Sequence, residues 1–476
     1  MKRIFTLAIL FFVIQSCDFE EYQDDPNRTA EANPSLVLTN LIANTFNNLD
    51  LTAQLASRMM VWVDGQDLSQ YYNWNRSGFG AFGQLRQTVK MIEEAERTGL
   101  SQYTALAKFF QAYHYYQLTM TFGDVPFSQS LGGFDENFTP TYDSQEDVFA
   151  GILQLLEEAN QELGLATSDT EIFGDVLFEG DILKWRKSIN SFRLRVLMTL
   201  SNKEGNSSID IRQQFRRIVE DPTSYPIMDS NNDNLALQHY DVAGSRYPYF
   251  NNQNLKVAYP LETTLVELLK EREDPRLFAI ANPNTISNDP NDFNSYGGLD
   301  GSAPFDDLQA EFLSGVGSFP DSRYSDEPIA EPSVTMSFAE LQFILAEAVE
   351  LSWITGDAAI FYNRGIEANM RFYGIGDASA YLAHPLVAYS SANGIELINT
   401  QKYLTFFFSG GWEPFYNQRR TGFPTFSTTD FNGGQIPIRW MYPLSELNLN
   451  RENVEAAINS QFNGEDTING TMWLLN

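Results

Sequence analysis

Ala112-Tyr113-His114-Tyr115-Tyr116-Gln117-Leu118-Thr119, running into Phe122-Gly123-Asp124-Val125-Pro126-Phe127, decides the fold class. Ala105, Phe109, Ala112 and Tyr116 recur at helical spacing and form one stripe, with small residues where a neighbouring helix can approach. Gly123 then stops the helix, and Pro126 keeps it from resuming. The same pattern repeats outward in both directions. Val148, Ile152, Leu155, Leu156, Ala159 and Leu163 share a helical face, and Asp143 followed by Glu146 has the form of a capping box that starts it. Trp185, Ile189, Phe192 and Val196 make another stripe, which places Trp185 in the core. Phe338, Leu341, Leu345 and Ala348 follow a Ser337/Glu340 start. Phe361, Gly365, Ala368 and Phe372 come next, after a turn at Thr355-Gly356-Asp357, so these last two stripes form a helix hairpin.

Alternating small and large residues on paired helices predict an all-α fold with tetratricopeptide-like helix pairs. An irregular helical domain is the alternative, since no clean repeat period is visible. Residues 222–335 and 409–440 differ: they are rich in Asn, Asp, Pro, Gly, Ser and Tyr, broken only by a short helix near Leu261 to Leu269. Their aromatic content argues against disorder. The expected architecture is therefore a helical scaffold, residues 31–476, carrying a loop-rich ligand-binding face.

The chain has 476 residues, enough for a sizeable core, and its 62 acids against 31 Lys plus Arg set a net charge of −31. So negative a surface repels phosphates, which argues against nucleic acid as a partner. One Cys excludes a disulfide framework, and His114, His239 and His384 lie too far apart for a zinc helix. Asp229-Ser230-Asn231-Asn232-Asp233 spaces oxygen ligands like the start of a calcium loop. It has Asn234 where that loop needs Gly and Tyr240 where it needs Glu, so the EF-hand reading fails. No metal and no cofactor are expected.

Lys2 and Arg3 precede a short apolar run, Ile4 to Ile14, which reads as a signal peptide over residues 1–16. The run ends at Ile14-Gln15-Ser16-Cys17, which resembles a bacterial lipobox; Gln15 is less usual there. The resemblance implies lipidation at Cys17, followed by an acidic tether over residues 17–30 that holds Asp18, Glu20, Glu21, Asp24 and Asp25. An acidic run so placed is similar to the surface-export signal of Bacteroidetes lipoproteins; a solvated linker is the plainer reading.

Several segments together resemble one family. They are Asp25-Pro26-Asn27, the Ala112–Thr119 and Phe122–Phe127 segments, and Pro140-Thr141-Tyr142-Asp143-Ser144-Gln145-Glu146. Gly180-Asp181-Ile182-Leu183-Lys184-Trp185 and Asn190-Ser191-Phe192-Arg193-Leu194-Arg195 follow. The later ones are Leu345-Ala346-Glu347-Ala348, Tyr362-Asn363-Arg364-Gly365-Ile366, Thr400-Gln401-Lys402-Tyr403 and Arg419-Arg420-Thr421-Gly422-Phe423-Pro424. In this order, behind a lipobox, they resemble the SusD/RagB family of nutrient-binding outer-membrane lipoproteins, in its second SusD-like branch. The resemblance implies a lipid-anchored, surface-exposed protein of the outer membrane. Such a protein caps a SusC-like TonB-dependent transporter and delivers oligosaccharides, or in some members peptides, without catalysis. Arg193, Arg195, Arg419 and Arg420 then pair with buried acids or face the partner.

A sugar site needs flat apolar faces for the ring and Asn, Asp, Gln or Arg for the hydroxyls. The richest cluster is Trp62 with Tyr71-Tyr72-Asn73-Trp74-Asn75-Arg76, and Trp74, flanked by two asparagines, is the first choice. The competing reading keeps Trp62 and Tyr71 in the core. Tyr247 and Tyr249, held extended by Pro248, are second, and Tyr296 beside Gly297-Gly298 is third. Peptide capture within the same family is the alternative function. A surface glycosidase is a weaker one, because a carboxylate pair carries no information among 62 acids.

Overall fold

The computed structural model describes residues 32–47, 49–167 and 169–476. The signal segment, Cys17 and the acidic tether lie outside the described residues. Five longer helices open the fold: α1 (Pro34–Phe46), α2 (Ala81–Thr98), α3 (Ser101–Phe122), α4 (Gln145–Gly164) and α5 (Ile182–Thr199). Helix α6 (Ile211–Glu220) packs on α5. Two short strands, β1 (Leu235–Leu237) and β2 (Ser333–Met336), pair antiparallel across the long loop region. Then come α7 (Phe338–Glu350), α8 (Ala358–Phe372), α9 (Gly394–Leu404), α10 (Glu413–Thr421) and α11 (Arg451–Phe462). The architecture is all-α, and consecutive helices pack on one another: α2 on α3, α3 on α4, α4 on α5, and α7 on α8.

Helix α3 is flanked on both sides, by α2 and α4, so its burial goes well beyond one stripe. Leu106, Phe110, Tyr115 and Leu118 are buried together with Ala105, Phe109, Ala112 and Tyr116. A helix apolar all round is one enclosed all round. It ends as expected: Gly123 has φ +90°, and its N–H donates to Thr119 O at 2.9 Å.

The start of α4 corrects the sequence reading. Asp143 is not the cap, because its Oδ2 already accepts from the N–H groups of Phe127 and Ser128 at 2.8 and 2.9 Å. Ser144 caps instead, accepting from the Asp147 N–H. Glu146 reaches outward, to the hydroxyls of Ser207 and Ser208. At α7 the expected Ser337 cap forms, accepting from the Glu340 N–H at 3.0 Å, but the Glu340 carboxylate goes to Arg195.

The family arginines mostly find acids. Arg193 meets Glu157, Arg195 meets Glu340, and Arg420 meets Glu347. Arg419 instead donates to the carbonyls of Met120 and Ile438. Trp185 is fully buried, and its Nε1–H donates to Asp175 Oδ2 at 2.8 Å.

Residues 222–335 are more regular than expected. Besides Thr263–Lys270 they hold short helices at Asn254–Val257, Arg276–Ile280, Phe305–Leu313 and Arg323–Asp326. This region has a core of its own, built from Leu261, Leu265, Leu277, Tyr296, Tyr324 and the run Phe406-Phe407-Phe408. That core holds the loop-rich face against the helical scaffold.

Candidate functional site

Asp67 shapes the early aromatic cluster. Its Oδ1 accepts from the N–H groups of Ser69 and Gln70, a side-chain turn that directs the following residues. Tyr72 adopts φ +53° and turns inward, where its hydroxyl donates to Ala56 O at 2.9 Å and the Arg58 guanidinium lies over its ring. Tyr71 turns the other way and donates to Ala303 O.

Trp74 does not offer a free face, contrary to expectation. It is 5 % exposed and stacks on Trp440 with centroids 4.7 Å apart and planes 10° apart. Its edges meet Trp412 and Phe415, and its Nε1–H donates to Arg439 O at 3.0 Å. Its neighbours come from more than 330 residues away, so local sequence could not show them. Asn73, Asn75 and Arg76 remain at the surface, with Arg76 paired to Asp466 at 2.6 Å.

The second and third choices are also buried. Tyr247 and Tyr249 pack among Tyr324, Phe408 and His239, and their hydroxyls have no protein partner. Burial raises the pKa of both. Tyr296 is 1 % exposed and donates to Pro290 O at 3.1 Å. These three tyrosines belong to the core of the loop region.

The competing reading holds for Tyr71, which is 3 % exposed, but not for Trp62, which is only half-buried. Trp62 is half-buried beside Tyr259, with centroids 4.6 Å apart. Tyr71 closes one wall of a cleft of about 460 Å³, beside Phe431, whose ring is 5.2 Å away and 53 % exposed. Gln66, Phe305, Asp306 and Asp430 complete the useful lining. The platform is rigidly held. Val61 and Val63 donate to Pro260 O and Ala258 O, and Gln70 Oε1 accepts from the Trp62 N–H. Arg58, fully buried, donates to Gln70 O and to Ser427 O, which ties the early loop to the 427–431 segment. Thr429 Oγ1 donates to Tyr71 O at 2.8 Å. The result is apolar faces next to amide and carboxylate groups on a fixed support, an arrangement able to hold a hydroxylated ring. Phe431 had no local signal beyond its place in the 409–440 loop.

The Asp229–Asp233 loop already holds a cation, the Lys187 ammonium, at 2.7 Å from Asp229 and 2.9 Å from Asp233. Among the described residues no group of three or more His, Cys, Asp or Glu is placed to hold a metal ion, and no helix is long and apolar enough to cross a membrane.

Residues 26–443 match the second SusD-like family model, described as starch-binding and associating with the outer membrane. The chain belongs to the SusD-like family. An outer membrane protein from Bacteroides vulgatus is 40 % identical, with a TM-score of 0.88 over 94 % of this chain and 100 % of the other. A SusD homologue from Bacteroides fragilis is 41 % identical, with a TM-score of 0.86 over the same shares. A second homologue from that species is 31 % identical, again at 0.86 and the same coverage. No curated protein matches the chain. In this SusD-like protein the helix pairs are the scaffold, and Phe431 and Tyr240 are exposed in the loop-rich regions.

Proposed function

We propose that this SusD-like protein is a surface lipoprotein, anchored through Cys17, that captures oligosaccharides and passes them to a SusC-like TonB-dependent transporter. It performs no chemistry on them. The observation that carries the reading is the match of residues 26–443 to a family described as starch-binding and associating with the outer membrane. The cleft with the exposed Phe431 and half-buried Phe305, and the half-buried Trp62–Tyr259 pair, support it, because they offer apolar ring faces beside polar groups. The test is affinity electrophoresis of the chain from Asp18 onward through gels holding a panel of polysaccharides, with Phe431→Ala and Trp62→Ala alongside. Retardation by one glycan, weakened in both variants, supports capture at the platform. No retardation by any glycan overturns the carbohydrate reading, and co-purification of a transporter barrel tests the partner separately.

A further inference from the structure

Next to the Trp74 cluster lies a cavity of about 290 Å³ that opens to the surface at Asn44 and Gly80 and shares no lining residue with the Tyr71–Phe431 cleft. The end of α1, the start of α2, the middle of α3, β2 and the Gly410-Gly411-Trp412 turn wall it in. Phe46, Tyr113 and Trp412 provide three rings, with Phe46 edge-on to Tyr113 at 5.7 Å and 73°. The Trp412 indole is fixed in place. Its Nε1–H donates to Asp50 Oδ2 at 2.8 Å, Trp74 backs it at 5.9 Å, and the Gly410 N–H anchors the turn on Val334 O.

The polar part of the lining selects against charge. Among the described residues no Lys or Arg lines it. The carboxylate among the described lining residues, Asp50, is engaged by Trp412 through Oδ2 and by the Thr52 N–H through Oδ1. His114 is hydrogen-bonded to Thr45 at 3.1 Å, and burial lowers its pKa to about 4, so it is neutral. Gln84 Oε1 is buried against the cavity with no hydrogen-bond partner in the protein, and the amides of Asn44 and Gln117 lie around it. A buried acceptor without a donor is complemented by a ligand hydroxyl. The volume lies at the lower end of small-molecule sites, which suits a single ring rather than a longer segment inside it.

We propose that this cavity is a second binding site that takes one uncharged pyranose unit, its apolar face against Trp412 or Tyr113 and one hydroxyl donating to Gln84 Oε1. The inference rests on the cavity alone and does not require the platform to bind glycan. The test is calorimetric titration of the full-length protein in detergent with methyl α-glucoside, methyl β-galactoside and methyl N-acetyl-β-glucosaminide, with glucuronate, glucosamine and alanyl-alanine as controls. Trp fluorescence is read in parallel. The expected result is saturable binding of at least one neutral glycoside, weakened roughly tenfold in Gln84→Leu. Ala81→Leu, which narrows the cavity, is expected to abolish it, while Phe431→Ala leaves it unchanged. Because Gln84 Oε1 has no partner to lose, Gln84→Leu is expected to fold, and Ala81→Leu supplies an independent variant. No binding of any neutral glycoside, stronger binding of a charged sugar or of the dipeptide, or loss of binding in Phe431→Ala alone overturns the proposal. Failure of the platform shows instead as unchanged polysaccharide retardation in Phe431→Ala.

Discussion

Arg195 and Glu340 clasp α5 to α7 across 145 residues of sequence, with Arg195 Nε donating to Glu340 Oε1 at 2.8 Å and Nη2 to Oε2 at 2.5 Å. Both side chains are at most 2 % exposed, and Nη2 also donates to Thr335 O. Glu413, buried as well, lies 3.9 Å from Arg195 Nη1, so the guanidinium is held between two carboxylates. Glu340→Ala is expected to destabilise by up to about 3–5 kcal/mol, since it removes the hydrogen-bonded carboxylate and leaves the buried guanidinium only the longer contact with Glu413. The triple replacement Arg195→Met, Glu340→Leu and Glu413→Gln, which leaves none of the three charges buried alone, is expected to lose far less. Urea unfolding of wild type and the two variants checks this, and a triple variant as unstable as Glu340→Ala would contradict it.

Trp74→Ala is expected to act on stability rather than on contact with a ligand. The indole is buried against Trp440, Trp412 and Phe415, and truncating such a ring typically costs about 3–5 kcal/mol. Phe431→Ala removes an exposed ring and is expected to change stability by less than about 0.5 kcal/mol. Thermal melts of both variants separate the roles. A Trp74→Ala protein that melts like wild type would return Trp74 to the list of surface residues.

The same contrast explains what could be read from sequence. The stripes on α3 and α5 are buried where expected, and those on α4 and α7 apart from the half-buried Leu155 and Phe338, because helical burial repeats every three to four residues; on α8 the buried face is Tyr362, Ile366 and Met370 with Gly365 and Ala368, while Phe361 and Phe372 are only half-buried. Trp185 followed from its stripe in the same way. The loop aromatics were not legible. Trp74, Tyr247, Tyr249 and Tyr296 sit among Asn, Gly and Pro, as exposed rings do, yet they are covered by partners from distant parts of the chain such as Trp440, Phe408 and Phe278. Phe431 is exposed because its own turn, Asp430–Asn432 followed by Gly433 at φ +59°, projects it outward. Trp412 was hidden for a related reason: its place in a cavity wall depends on α1, α2 and α3 meeting β2.

Gly365 marks the closest approach of α8 to α7. A Cβ built there would lie 2.7 Å from Cζ of the fully buried Phe343 ring. Ala would improve helix propensity by about 0.5–1 kcal/mol in isolation. Overpacking a close-packed core commonly costs about 1–3 kcal/mol, so Gly365→Ala is expected to be destabilising on balance. Pairing it with Phe343→Leu is expected to recover part of the loss. Chemical unfolding of the single and double variants decides, and a more stable Gly365→Ala protein would show that α7 and α8 can separate freely.

Asp124 gives the protein a pH dependence of defined sign. The residue follows the Gly123 stop, is 7 % exposed, and its Oδ1 accepts from the Gln145 N–H at 2.7 Å. Burial pushes its carboxyl up to about 7, and the Gln145 hydrogen bond opposes this only in part. An unfolded Asp titrates near 3.9, so between the two values the folded protein binds more protons than the unfolded one. The stability this group contributes is therefore fully present below about pH 3.9 and is lost as pH rises to about 7, beyond which it is level. Glu262 and Glu331 are pushed in the same direction by burial, but they are common to wild type and variant and cancel in a comparison. Asp124→Asn keeps a carbonyl acceptor for Gln145 and cannot ionise. Its stability relative to wild type is expected to rise steadily between about pH 4 and pH 7 and to stay constant above that. Urea unfolding of both proteins across that range measures the difference directly. A difference that is flat in pH, or that falls as pH rises, would mean that Asp124 is ionised in the folded protein at neutral pH.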